Sequence, residues 1–376
     1  MDTSNWPLLL KNYSNLVCKT GQYTPMQCGS SPLKRPINLL LKYGVINLDK
    51  PSNPSSHEIV SWVKNILKVE KTGHSGTLDP KVTGSLIICI ENATRIAKSQ
   101  QNAGKEYVSV LKLYDAVDYQ DLEAATKFFT GRVYQCPPAI SAVKKQLRVR
   151  HIYENELLEY DPEAKLAVLR VKCEAGTYIR TLCEHIGLYL GVGGEMAELR
   201  RTRTGHISED EGLVTMHDVL DAKWLLDTKG DESYMRRVVR PLEWMLTHYK
   251  RIVVKDSAVD AICHGAKLML PGVMRFDREI ETNEIIIIIT TKGEAIALGV
   301  AQMAASQMMV AEHGIAAKIK RVIMDQNTYT KAWGYGPVAQ EKQRLIKEGK
   351  LTEKGKPNNK TPPYWLRNFL ENKISQ

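Results

Sequence analysis

The chain has 376 residues, with 52 Lys and Arg against 42 Asp and Glu and a formal net charge of +10. Its 43% hydrophobic and 25% charged residues suit a globular protein of two or three domains, which excludes wholesale disorder, a collagen-like fibre and a small disulfide-stapled fold. Seven cysteines, odd in number and with no CxxC pair, predict free thiols in a reducing compartment and no zinc site. The sequence has neither a basic-then-apolar leader nor an apolar run of about 20 residues, so a soluble intracellular protein is expected.

In chain order, residues 1–36 carry Pro7, Pro25, Pro32 and Pro36 with little periodicity and read as an irregular arm. A short strand is expected over 43–48. Ser55-Ser-His-Glu58 then fits a helix capping box, and Ile59, Val63, Ile66 and Leu67 share one helical face. Residues 73–84 read as a loop and 85–90 as a buried strand. Strands are expected over 105–113 and 165–173, followed by a core-facing helix carrying Ile179, Leu182, Cys183, Ile186 and Leu190. Without a regular β-α-β alternation, residues 37–245 predict an α+β domain with a mixed, mainly antiparallel sheet. Short β-rich runs punctuated by glycines over 246–325 predict a small β-barrel, and 326–376 a basic extension. No internal repeat occurs.

The charge is uneven. Residues 318–376 hold thirteen Lys and Arg against five Asp and Glu, and residues 1–36 hold four against one. The body between them is close to neutral. Basic ends favour a polyanionic partner, although solvated tails would give the same count.

One loop could carry chemistry: Lys71-Thr-Gly-His-Ser-Gly-Thr-Leu-Asp-Pro80. Asp79-Pro80 among glycines reads first as a turn. The functional alternative is an aspartate nucleophile at a loop tip, which needs a cation to stay ionised. Arg180 is a candidate, because a basic side chain in the first turn of a helix gains nothing from the helix dipole. Tyr107 and Tyr178 could stack on a base or belong to a core.

The runs Gly44-Val-Ile-Asn-Leu-Asp-Lys-Pro51 and Gly73-His-Ser-Gly-Thr-Leu-Asp-Pro80 resemble the catalytic segment of the TruB-type pseudouridine synthases. Ser31-Pro-Leu-Lys-Arg35, Leu147-Arg-Val-Arg-His-Ile-Tyr153, Cys173-Glu-Ala-Gly-Thr-Tyr-Ile-Arg180, Glu198-Leu-Arg-Arg201 and Trp333-Gly-Tyr-Gly-Pro337 narrow the likeness to the eukaryotic box H/ACA branch, the dyskerin family. It spans nearly the whole chain.

The resemblance implies a catalytic domain over 37–245 and a PUA domain over 246–325, with the arm and the extension packing on the latter. It implies Asp79 as the catalytic aspartate, Tyr107 as the ring stacked on the flipped base and Arg180 as the partner of the aspartate. Tyr178 and Leu199 would line the pocket, and Lys50 and His74 would support its loop. No metal or cofactor is implied. The implied partners are an H/ACA guide RNA, an rRNA substrate and the small H/ACA core proteins, in the nucleus and nucleolus. Lys255, Lys267 and Lys292 would lie near RNA. A stand-alone tRNA pseudouridine synthase and a non-catalytic H/ACA RNA-binding scaffold are the alternatives.

Overall fold

The computed structural model describes residues 2–137, 144–332, 337–353 and 355–366. Residues 333–336 of the Trp333-Gly-Tyr-Gly-Pro337 motif lie outside the described residues.

Local signals set the first elements. Ser55 caps the Ser56–Leu67 helix through a reciprocal box: its hydroxyl accepts from the Glu58 amide at 3.2 Å, and Glu58 accepts from the Ser55 amide at 2.7 Å. Ile59, Val63 and Leu67 bury the face the spacing predicts. The helix packs on Gly44–Lys50 and Thr83–Ile90, the central strands of an eleven-stranded sheet. Eight of its strands run in the order Leu213–Val214, Gly44–Lys50, Thr83–Ile90, Gly194–Thr204, Lys105–Leu113, Leu166–Cys173, Arg148–Asp161, Gly131–Gln135, and Thr72–His74, Ile207–Ser208 and Arg240–Pro241 pair with them off this path. Its pairings are antiparallel except for Leu213–Val214 on Gly44–Lys50 and Thr83–Ile90 on Gly194–Thr204. The Ile179–Tyr189 helix packs across Gly194–Thr204 and brings Arg180 over the sheet.

Some elements depart from the expectation. Residues 37–42 form a helix ahead of the first central strand, and Thr72–His74 is a strand inside what reads as loop. Arg148–Asp161 is a strand of 14 residues that buries only Ile152 and Asn155, so it carries no alternating apolar signal. The arm is only partly irregular: Val17–Cys18 adds an edge strand to Val273–Phe276.

The second sheet has seven strands, ordered Val17–Cys18, Val273–Phe276, Arg251–Val254, Ile285–Ile289, Ala295–Ala301, Ile315–Val322, Leu268–Met269. Helices Asp256–Cys263 and Ala305–Val310 accompany it. Its five-isoleucine strand is buried on both sides. Ile286 and Ile288 face the core of this sheet, whereas Ile287 and Ile289 join Val45, Ile87 and Cys89 of the first sheet. A strand covered on both faces reads as an unbroken apolar run.

Polar contacts tie the ends of the chain into the same body. Arg35 and Glu243, both buried, form a two-pronged ion pair at 2.8 and 2.6 Å. Glu294 accepts from the Ser30 amide at 3.0 Å and the Tyr329 hydroxyl at 2.7 Å, joining the arm to the stretch beyond the second sheet. Asp325 bridges to the first sheet's periphery through Lys42 at 2.7 Å, Arg95 at 2.9 Å and Asn92 at 2.8 Å.

Candidate active site

Asp79 stands at the tip of a loop that is fixed at both ends. At the near end, Ser56, the first residue of its helix, accepts from the Leu78 amide at 2.8 Å and donates to the Leu78 carbonyl at 2.9 Å. At the far end the fully buried Lys50 ammonium donates to the carbonyls of Pro51, Pro80 and Val82, each at 2.8 Å. All three N–H groups are thereby satisfied. Burial pushes the Lys50 amine below its ordinary pKa, and the nearby Asp79 charge opposes that shift. The Val82 amide closes the turn on the Asp79 carbonyl at 3.0 Å.

Arg180 meets the aspartate from the facing helix, with Nη2 2.5 Å from Oδ2 of Asp79. The Asp79 side chain is 59% exposed and that of Arg180 36%, so the pair remains open to an incoming group. Arg180 is the second residue of the Ile179–Tyr189 helix. Its site is therefore unfavourable to the helix dipole and is compensated by the ion pair. The segment before that helix is pinned by Gln135, which accepts from the Tyr178 amide at 3.0 Å and donates to the Tyr178 carbonyl at 3.1 Å.

Beside the pair opens a cavity of about 440 Å³, lined among others by Leu78, Asp79, Tyr107, Tyr178, Arg180 and Leu199. Its volume suits a single small planar group. Tyr107 and Leu199 come from adjacent antiparallel strands and are half-buried where two apolar cores meet. Burial raises the Tyr107 phenol above its ordinary pKa, with the Arg201 guanidinium opposing.

Five of the seven expected residues, Asp79, Tyr107, Arg180, Tyr178 and Leu199, line this cavity. Lys50 supports the loop from below without lining the cavity. His74 lies on Thr72–His74, at the entry to the loop. Its Nδ1 accepts from the Gly76 amide at 3.2 Å, and its ring meets His57 edge-on at 5.2 Å. Burial and the His57 ring hold its pKa below the usual histidine value.

Sequence reasoning missed Ser56, Gln135 and Lys105, whose ammonium donates to the carbonyls of Gln100, Gln101 and Ala103. Ser56 and Gln135 bear no local mark, because their backbone partners are distant in sequence, and Lys105 serves carbonyls of the turn just before it. Of the lysines expected near RNA, Lys267 is exposed and Lys255 half-buried, while Lys292 donates to carbonyls of the arm at Cys28 and Gly29. Among the described residues no cluster of His, Cys, Asp and Glu could hold a metal ion.

Comparison with known proteins agrees with this layout. Residues 3–60 match the DKCLD (NUC011) domain and 64–179 the N-terminal domain of the TruB family pseudouridylate synthases. Residues 180–247 match the tRNA pseudouridylate synthase B C-terminal domain and 250–323 the PUA domain. The chain is 61% identical over 98% of its length to the H/ACA ribonucleoprotein complex subunit 4 of Arabidopsis thaliana, of which it spans 66%. It is 60% identical over 99% of its length to subunit cbf5 of Schizosaccharomyces pombe, spanning 78% of that protein. Among solved structures, an H/ACA RNP bound to a substrate RNA containing 2'-deoxyuridine matches at 41% identity and a TM-score of 0.78, covering 85% of this chain and 97% of that one. A Cbf5-Nop10-Gar1 complex matches at 42% identity and a TM-score of 0.77, covering 88% and 98%. With the Asp79 loop, the facing Arg180 and a PUA segment in one chain, the protein belongs to the TruB-type pseudouridine synthases, in the family of H/ACA ribonucleoprotein complex subunit 4.

Proposed function

We propose that this protein isomerises uridine to pseudouridine in RNA, at sites chosen by an H/ACA guide RNA, with Asp79 as the nucleophile. The observation that carries the reading is the Asp79–Arg180 ion pair at the rim of a cavity walled by Tyr107 and Leu199. The guanidinium fixes the carboxylate by a charge-assisted hydrogen bond at the cavity rim, where it can act as a nucleophile. A uracil inside a stack cannot be reached, so the nucleotide must be extruded, and Tyr107 offers the ring on which it lies. The reaction breaks the C1′–N1 bond, turns the base and forms C1′–C5. The C5 proton is lost and N1 gains one, so the conversion is an isomerisation that needs no redox partner. Asp79 attack on the base and formation of a glycal from the ribose both satisfy this balance.

The guide is held over residues 246–325, with the basic ends 1–36 and 326–376 beside it. The partners named for the relatives, Nop10 and Gar1 among them, support assembly with small H/ACA core proteins. Their names as H/ACA subunits support a nuclear and, within it, nucleolar place of action.

The test is tritium release from 5-³H-uridine in an rRNA fragment, measured for the protein reconstituted with its core proteins, with and without the guide. Guide-dependent release is expected. Asp79→Asn should lower it by about a thousandfold or more and leave guide binding intact. Guide-independent release would favour a stand-alone synthase, and guide binding without release by the wild type would favour a scaffold.

A further inference from the structure

Arg201 is 1% exposed, and no ion pair with a carboxylate is found for it among the described residues. A guanidinium removed from water without a counter-charge is costly unless its donors are all directed at fixed acceptors. Those of Arg201 are directed at two carbonyls on separate segments, and its side chain faces a third segment. Nε donates to the Ser85 carbonyl at 2.8 Å, in the central strand Thr83–Ile90. Nη2 donates to the Gly76 carbonyl at 3.3 Å, three residues before Asp79. The third direction is toward Tyr107, which is directly opposite Arg201 in the antiparallel register between Lys105–Leu113 and Gly194–Thr204. Cross-strand partners project to the same face of a sheet, and both side chains line the cavity.

We propose that Arg201 is a positioning residue for the isomerisation, holding the Tyr107 ring and the start of the Asp79 loop in one fixed relation. The Asp79–Arg180 pair alone does not set this relation, because Arg180 approaches from the helix and its hydrogen bond goes to Asp79. A planar fork can serve three acceptors in different directions, and a lysine ammonium on a flexible stem cannot reproduce that geometry. Gly76 has a φ of +138°, a conformation that side-chain-bearing residues rarely adopt, so the turn that offers its carbonyl to Nη2 of Arg201 favours glycine.

The inference rests on the reading of this cavity as the isomerisation site. Its test is a double-mutant cycle on single-turnover tritium release in the guide-loaded complex, using Arg201→Lys, Tyr107→Phe and the double variant. Arg201→Lys should slow release by about thirtyfold while its KM for the RNA stays within about threefold. The double variant should be no slower than the worse single variant by more than about threefold, because both changes break one unit. Should Arg201→Lys lack a cooperative melt, Arg201→Gln, which keeps a planar donor, takes its place. Multiplicative losses, a rise in KM alone, near wild-type release, or failure of both variants to fold would each overturn the proposal. Inactivity of the wild-type complex would instead count against the proposed function.

Discussion

Lys50 turns a glycine-bearing loop into a rigid platform for Asp79, the proposed nucleophile. Two of its three carbonyl partners, Pro80 and Val82, lie just after Asp79 and the third, Pro51, is next to Lys50 itself, so removing the ammonium frees acceptors that water cannot readily reach. Lys50→Met is expected to cost about 3 kcal/mol of stability and to slow isomerisation by about tenfold or more through a loosened Asp79. Urea unfolding and tritium release measure the two effects. The cysteines allow a separate test of burial. Cys89, Cys173 and Cys183 are enclosed, and burial pushes each thiol up to about 12. Since only the thiolate reacts, iodoacetamide at pH 8 should label Cys18 and Cys136, which are exposed, and reach Cys89, Cys173, Cys183 and the likewise buried Cys263 only after denaturation.

Gly84, the second residue of the strand Thr83–Ile90, has a φ of +101°, and a Cβ there would lie 2.3 Å from the Arg201 carbonyl oxygen. Neither backbone can yield, because this is the parallel contact that joins the two halves of the sheet. Gly84→Ala is therefore expected to cost about 3 kcal/mol or more, read as a lowered denaturation midpoint. The same strands explain what the sequence disclosed. Apolar runs such as Leu86–Ile90 and the Ser55–Glu58 box announce themselves, since burial on both faces or a reciprocal cap leaves a local pattern. Gly194–Thr204 does not. It is rich in Glu, Arg and Thr, and it buries Arg201 and Thr202 because their partners lie on other segments of the chain. For the site, residue type and spacing could nominate Asp79 and Arg180 only as candidates. Their meeting 101 positions apart in sequence follows from the sheet order, and the resemblance to a family supplied that in advance. Ser56 was legible as part of a cap and concealed as a prop for the loop.

Across the whole molecule, Asp325 reports how tightly the two sheets are bound. Lys42, Arg95 and Asn92 outweigh the effect of its burial and hold its carboxyl down at about 2, against an ordinary 3.8. The folded group thus resists protonation more than the unfolded one does. Its contribution is complete above about pH 5 and is lost as pH falls through 3.8 toward 2, on the order of 1–2 kcal/mol after allowing for its partial exposure. Asp325→Asn should accordingly lower Tm at pH 7 and converge with the wild type near pH 2, as scanning calorimetry at several pH values would register. Guide binding by the basic ends should also weaken steeply between 50 and 200 mM salt, because displaced counterions drive it. A filter-binding titration gives that slope.

The Ile285–Ile289 strand has one more consequence. With Ile287 and Ile289 seated among Val45, Ile87 and Cys89, the PUA segment is not a detachable cassette. A transplant of residues 250–323 from a distant homologue would have to match this seam side chain for side chain, and a fragment expressed alone would expose a greasy flank to solvent. Lineages of this family are thus expected to exchange surface loops freely but to inherit the two sheets as a single heirloom.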